Sequence, residues 1–155
     1  MGYAAQRTDQ KIILNIKIII MSNSSAKKNS KSIILTTGLY DLLKDQLRLR
    51  KLSKFNEEKL ALELKSATQV LRKDLPEDTV TVDRTVIVKQ IDTGAEFRYN
   101  LVAPAKAKRK NNTLSILSPI GIAMLGYSQG DELSWEMPGG VLEYRIEKVA
   151  ALNSI

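Results

Sequence analysis

The sequence contains no cysteine and no histidine, and these two absences exclude several kinds of functional site. A chain without Cys cannot form a disulfide framework, a thiolate zinc site or a thiol nucleophile. A chain without His has no Ser-His-Asp triad and no imidazole base or ligand. Any catalysis would depend on carboxylates, Lys, Tyr or a metal held by oxygen atoms. The absence of Cys is also typical of a reducing cytoplasm, where we expect this protein to act.

Of the 155 residues, 43% are apolar and 26% are charged, which is typical of a globular protein of one domain with a small appendage. The net charge of +7 is unevenly spread, because residues 1–31 hold six Lys or Arg and one Asp. Residues 32–155 hold the other 18 bases and 16 acids, a balance of only +2. The basic composition therefore describes the N-terminal segment and is poor evidence that the folded part binds nucleic acid.

An apolar run, KIILNIKIII, occupies residues 11–20. It is shorter than the ~20 residues that span a bilayer, and as a signal peptide it lacks a convincing cleavage site, so we expect no membrane partner. Its β-branched residues also suit an added edge strand. Met21 opens a polar, low-complexity stretch and is the initiator we favour, with residues 1–20 as an upstream extension. We predict a disordered or extended tail over residues 1–31.

Residues 32–75 show apolar residues at helical spacing in two runs, which predicts an antiparallel helical hairpin. Ser53 and Asn56 supply the break and a helix N-cap, and Pro76 stops the second helix. Arms of about 15–19 residues would be roughly 22–28 Å long, with a coiled-coil-like seam in the second. The apolar positions are Leu39, Leu42, Leu43 and Leu47 in the first helix, and Leu60, Leu64, Ala67, Leu71 and Leu75 in the second.

From Val80 onward the apolar residues alternate with polar ones, which predicts β-strands. Five or so antiparallel strands are expected, separated by turns at Asp92-Thr93-Gly94 and Pro138-Gly139-Gly140. One short apolar helix interrupts them, with Ser118 as its N-cap, Pro119 at its first position and Gly126 as its stop. The second half is therefore predicted to be an α+β domain whose sheet wraps around a single helix.

Six segments stand out in this half: Asp78–Val82, Tyr99–Lys106, Leu114–Gly126, Gly130-Asp131, Trp135–Gly140 and Tyr144–Val149. They occur in the order found in the C-terminal domain of bacterial Gre-type (GreA/GreB) transcript-cleavage factors, and residues 76–150 resemble that domain. Within the family, the chain is most similar to the short type named regulator of nucleoside diphosphate kinase. Residues 151–155 would be a tail.

The resemblance implies an FKBP-like domain, a bent antiparallel sheet packed on one short helix, that binds RNA polymerase at the rim of its secondary channel. In the family the Ser-Pro at the helix start belongs to the polymerase contact, and Ser118 and Pro119 match it here. Leu117 stands where the family usually has an acidic residue or Asn. The expected partner-binding residues are therefore Leu117, Ser118 and Pro119, and the expected function is modulation of transcription elongation.

Full-length family members carry acids at the tip of a long coiled coil, which help hold a second Mg²⁺ in the polymerase active site for RNA cleavage. In this chain the tip acids are Glu57 and Glu58, which are adjacent and so point about 100° apart on a helix. The family's Asp with a Glu three residues later is absent, and the arm is short. We expect no cleavage stimulation, no metal site, no cofactor and no enzymatic activity; a cleavage-stimulating factor is the alternative.

A basic loop holds Lys106, Lys108, Arg109 and Lys110. The loop is either an ordinary solvated loop or a contact for nucleic-acid phosphates or an acidic polymerase surface. No aromatic residue interleaves with these bases, which disfavours a stacking platform for single strands. A nonspecific nucleic-acid binder and an FKBP-like prolyl isomerase are weaker alternatives. The isomerase needs an aromatic-lined pocket, whereas this chain has one Trp and two Phe, and a shared fold does not imply a shared activity.

Overall fold

The computed structural model describes residues 32–155, in which two helices and a pair of short strands precede a five-stranded sheet. The predictions for residues 1–31 lie outside the described residues. Among residues 32–155, no helix combines the length and apolar character that crossing a bilayer requires. The elements are β1 (Ile34–Thr36), α1 (Thr37–Arg48), α2 (Lys54–Ser66), β2 (Thr68–Val70), β3 (Arg84–Gln90), β4 (Glu96–Val102), β5 (Thr113–Ser115), α3 (Pro119–Met124), β6 (Glu132–Met137) and β7 (Gly140–Ala151).

Helices α1 and α2 both begin at a hydroxyl N-cap. Thr36 Oγ1 accepts from the Leu39 backbone N–H at 3.4 Å, and Ser53 Oγ accepts from that of Asn56 at 3.2 Å. Such caps satisfy N–H groups that have no partner within the helix. The buried leucines of the two helices belong to the same apolar core as the sheet. The helical pair is therefore packed onto the second half of the chain.

The second helix is shorter than the apolar spacing predicts. It ends at Ser66, and Thr68–Val70 then forms β2, which pairs in parallel with β1. Leu71 is consequently 63% exposed, so the predicted seam is wrong beyond Leu64. At 12 and 13 residues, α1 and α2 are about 18–20 Å long rather than 22–28 Å. The strand forms because β1, more than 30 residues earlier in the chain, offers backbone hydrogen bonds to this segment.

The five-stranded sheet has the order β5-β4-β3-β7-β6. All neighbouring strands in it are antiparallel except β4 and β5. Strand β5 runs parallel to β4, so the prediction of an all-antiparallel sheet is wrong at this edge. The ten residues 103–112 contain two short 3₁₀ turns and carry the chain back to Asn100, from which β5 runs alongside the last three residues of β4. An irregularity between Ile87 and Val88 offsets the register of β3 against β7. A bulge of this kind bends a sheet.

Helix α3 agrees with the prediction from sequence. Ser118 caps it, Pro119 occupies its first turn, and the residues from Ile120 to Met124 are buried. Gly126 adopts φ +86° just after the helix, a left-handed conformation that glycine adopts without a Cβ penalty. Strand β6 contacts α3, and Trp135 on this strand is 1% exposed. The domain is thus a mixed α+β structure with its core between α3 and one face of the sheet.

Candidate functional site

Leu117, Ser118 and Pro119 form the approach to α3, and their backbone is fixed by local hydrogen bonds. The Leu117 N–H donates to Ser115 Oγ at 3.0 Å, and the Ser118 N–H donates to the Ser115 carbonyl at 3.0 Å. The Ser118 hydroxyl accepts from the Gly121 N–H at 3.1 Å, which uses it as the helix cap. Pro119 is exposed, whereas Leu117 and Ser118 are half-buried. The segment therefore exposes the rigid ring of Pro119 to solvent. The neighbouring Ser118 hydroxyl already accepts a hydrogen bond within the chain.

Helix α3 sits directly on the backbone that precedes it because Gly121 has no side chain. A Cβ at Gly121 would lie 2.7 Å from the Ile116 carbonyl oxygen and 2.8 Å from that of Ser115. Only glycine permits this approach. The close packing fixes the position of Pro119 relative to β5.

The acids predicted at the hairpin tip do not converge. Glu57 is half-buried in the first turn of α2 and Glu58 is exposed next to it, so their carboxylates point about 100° apart. Among the residues that the structure describes, no three Asp or Glu side chains are grouped closely enough to hold a metal ion. The connection between the helices carries Arg50 and Lys51, both exposed. The tip is therefore a predominantly basic surface without a formed carboxylate pair.

Asn56 has a role that the sequence analysis missed. Its side chain does not cap α2. It is 5% exposed and pairs with the backbone of Glu136 on edge strand β6. The Asn56 Nδ2 donates to the Glu136 carbonyl at 3.0 Å, and the Glu136 N–H donates to Asn56 Oδ1 at 2.8 Å. The carboxamide thus continues the sheet edge as a strand would. A signal was available, because Asn56 precedes Leu60 and Leu64 at four-residue spacing on the buried face of α2.

A second group of residues that the sequence analysis missed joins α2 to the sheet domain by an ion pair and hydrogen bonds. Lys59 Nζ donates to Glu63 Oε1 and to the Tyr127 hydroxyl, the latter at 2.8 Å, and Tyr127 donates to Glu63. The ammonium also lies 5.0 Å from the Tyr127 ring centroid and 5.6 Å from that of Trp135. Burial raises the pKa of the Tyr127 hydroxyl far above its usual range, and the Glu63 carboxylate raises it further. Together with Asn56, this cluster fixes the orientation of α2 on the domain.

Comparison with known proteins decides the family. Residues 75–151 match the profile of the family described as the C-terminal domain of the transcription elongation factors GreA/GreB. The solved structure of the prokaryotic transcription elongation factor GreA/GreB from Nitrosomonas europaea is 34% identical. It superposes with a TM-score of 0.55 over 78% of this chain and 99% of that one. The chain belongs to the GreA/GreB family.

Two curated relatives each match about half of the chain. The regulator of nucleoside diphosphate kinase of Escherichia coli K12 is 38% identical over 82 residues, which cover 53% of this chain and 60% of that protein. GreA of Syntrophus aciditrophicus is 36% identical over 74 residues, 48% of this chain and 46% of its own length. The chain thus spans about half the length of the curated relatives that it matches.

The sites predicted for this GreA/GreB family member lie in three separate places. Leu117, Ser118 and Pro119 are contiguous at the start of α3, whereas Glu57 and Glu58 lie on α2. The four bases of the predicted loop are all exposed, between β4 and β5. Each predicted group therefore lies on its own element or loop, and Glu57 and Glu58, although adjacent, do not converge.

Proposed function

We propose that this GreA/GreB family member binds RNA polymerase at the rim of the secondary channel and modulates elongation without stimulating transcript cleavage. The observation that supports this most directly is the rigid, exposed Pro119 at the start of α3, in a domain matched along its length to that of GreA/GreB. The contact would bury the proline ring and the half-buried Leu117. The family's contact position is thus accessible here.

The short helical pair supports the second part of the proposal. Helices of about 18–20 Å reach less far than the predicted arm, and Glu57 and Glu58 diverge. Two-metal hydrolysis needs carboxylates that converge on one ion. We propose that the arm occupies space at the channel rim and contributes no chemistry, so the protein is not an enzyme.

The proposal extends to the shape of the domain. The bulged five-stranded sheet with α3 against its buried face supports an FKBP-like arrangement. Trp135 and Tyr144, which are buried on that face, belong to the core and are not available to bind a proline ring. An isomerase is accordingly disfavoured, since a shared fold does not imply a shared activity.

Substitution of Pro119 by glutamate tests the polymerase contact. We expect Pro119→Glu to fold normally, because an acid in the first turn of a helix is electrostatically favourable. It should lower affinity for RNA polymerase by a factor of about 10 or more, since a charge would be buried at the contact without a partner. Pro138→Glu, at an exposed turn, is the matched control. The measurement is co-purification and titration with polymerase at moderate salt.

Two outcomes would contradict the polymerase contact. One is that polymerase fails to retain the wild-type chain at moderate salt. The other is that Pro119→Glu and Pro138→Glu bind as tightly as wild type, which would place the contact on a different surface.

A backtracked transcription complex tests the absence of cleavage activity. With Mg²⁺ present, adding the chain should leave the rate of RNA cleavage unchanged, while a GreA protein accelerates it in parallel. The physical reason is that Glu57 and Glu58 cannot both ligate one ion from adjacent helical positions. Acceleration that disappears in Glu57→Gln or Glu58→Gln would instead make the chain a cleavage factor.

A further inference from the structure

Four exposed bases lie on the β4–β5 loop, which ends beside a face of the sheet that carries two more. Arg98 on β4 pairs with Ile87 on β3, which in turn pairs with Lys148 on β7. Directly paired residues of neighbouring strands point to the same face. Arg98 and Lys148 therefore lie on one face of the sheet, and both are exposed. We call the following six residues the basic face: Lys106, Lys108, Arg109, Lys110, Arg98 and Lys148.

The register of β4 and β5 brings the loop beside the sheet part of this face. Asn100 lies two residues after Arg98 on β4, so its side chain points to the same face of the sheet. Its Nδ2 donates to the Asn112 carbonyl at 3.1 Å, and Thr113 pairs with Asn100 in the parallel ladder. The loop that carries Lys108–Lys110 therefore ends beside the face that carries Arg98.

A buried polar chain anchors the loop. The Thr85 hydroxyl donates to Asn100 Oδ1 at 2.7 Å, and Asn100 Nδ2 donates to the Asn112 carbonyl at 3.1 Å. Thr113 Oγ1 accepts from the Lys108 N–H at 2.9 Å, closing the base of the loop. Thr85 and Asn100 are 0% and 4% exposed. Because the backbone is fixed before any partner binds, less conformational entropy is lost on binding.

Acidic residues do not neutralise the face. No Asp or Glu occurs between Phe97 and Gly130. Two acids lie next to these bases: Glu96, two residues before Arg98 on the same side of β4, stands opposite Lys89, and Glu147 lies 3.9 Å from Arg145. Within the part of the chain that the structure describes, the ion pairs involve other bases. The basic face therefore carries six positive charges available to an external anion.

We infer that the basic face binds the phosphate backbone of double-stranded DNA without regard to sequence. Lys148 and Arg98 stand two strand spacings apart, about 10 Å, along which a duplex presents about six phosphates. Phe97 and Tyr99, which flank Arg98, stack on each other on the opposite face of the sheet. The basic face thus offers no aromatic platform for unpaired bases, which favours a duplex over a single strand.

Salt-dependent binding of short labelled duplexes by the full chain, without polymerase, tests this inference. Neutralising three contacts in Lys108→Gln/Arg109→Gln/Lys110→Gln should lower the slope of log affinity against log salt by about 2.7. The loss of affinity between about 50 and about 200 mM salt should then be about 40-fold smaller than for wild type. Arg98→Gln/Lys148→Gln should lower the slope by about 1.8, which shows that the sheet part of the face takes part.

The matched control is Lys44→Gln/Lys65→Gln/Lys73→Gln, which removes the same charge from exposed sites on other elements. It should retain the wild-type slope, and the six bases of residues 1–31 are present in every variant. Equal effects of the two triple variants, or tighter binding to single strands or RNA duplexes, would overturn the inference. The inference would also be overturned if the chain bound no duplex and Lys108→Gln/Arg109→Gln/Lys110→Gln lost polymerase capture. That result would indicate an acidic protein partner. Pro119→Glu reports the polymerase contact separately.

Discussion

The substitution Gly121→Ala is expected to destabilise the domain by about 3 kcal/mol, the upper end of the range for an overpacked site. The added Cβ would meet the Ile116 carbonyl oxygen at 2.7 Å and the Ile116 carbonyl carbon at 2.9 Å. Both atoms are backbone, so no side-chain rotation can relieve the contact. Helix α3 would have to move off the end of β5 and carry Pro119 with it. We therefore expect polymerase binding to fall together with stability.

Urea unfolding followed by fluorescence measures this effect, because Trp135 is the only tryptophan and is 1% exposed. The control is Gly38→Ala in α1, where an added Cβ would have no atom within 4 Å. Its expected effect is a gain of about 0.4–1 kcal/mol, because alanine restricts the unfolded chain. If Gly121→Ala unfolds at the wild-type urea concentration, the close packing of α3 on β5 does not exist as described.

The substitution Lys59→Met is expected to cost about 3 kcal/mol, at the low end for a broken buried ion pair. It leaves the Glu63 carboxylate with the Tyr127 hydroxyl as its remaining hydrogen-bond partner. The side chains of Lys59 and Glu63 retain only 17% and 15% of their exposure, so water replaces little of the lost interaction. The orientation of α2 on the domain should loosen as a result.

Circular dichroism in urea is the suitable measurement, because Lys59 lies 5.6 Å from the Trp135 ring and its removal would change the fluorescence itself. Lys59→Met/Glu63→Gln should recover more than half of the loss, since glutamine keeps an acceptor for Tyr127 without a charge. Arg48→Met breaks an exposed pair with Asp45, 76% and 60% exposed, and should cost about 0–1 kcal/mol. A double variant as unstable as Lys59→Met would mean that the charge of Glu63 is not the cause.

The sequence predicted those parts of the fold that depend on neighbouring residues. Ser118 and Pro119 define the start of α3, and Gly126, with its positive φ, ends it. The turn at residues 92–94 likewise follows from local chemistry, with the Thr93 N–H donating to Asp92 Oδ1 at 2.8 Å. Such features need no distant partner, so their residue types are sufficient evidence. The start of α3, which carries the proposed polymerase contact, belongs to this group.

Long-range pairing decided what the sequence could not. Residues 68–70 continue a helical apolar pattern but become a strand because β1 lies alongside them. Asn56 bonds to Glu136, 80 residues away, and Lys59 to Tyr127, 68 residues away. The loop bases of the basic face were evident from the sequence, but its sheet part exists only because the ladder sets Arg98 and Lys148 on either side of Ile87. The spacing of apolar residues indicates which face of a helix or strand is buried. Tertiary packing decides which other element covers that face.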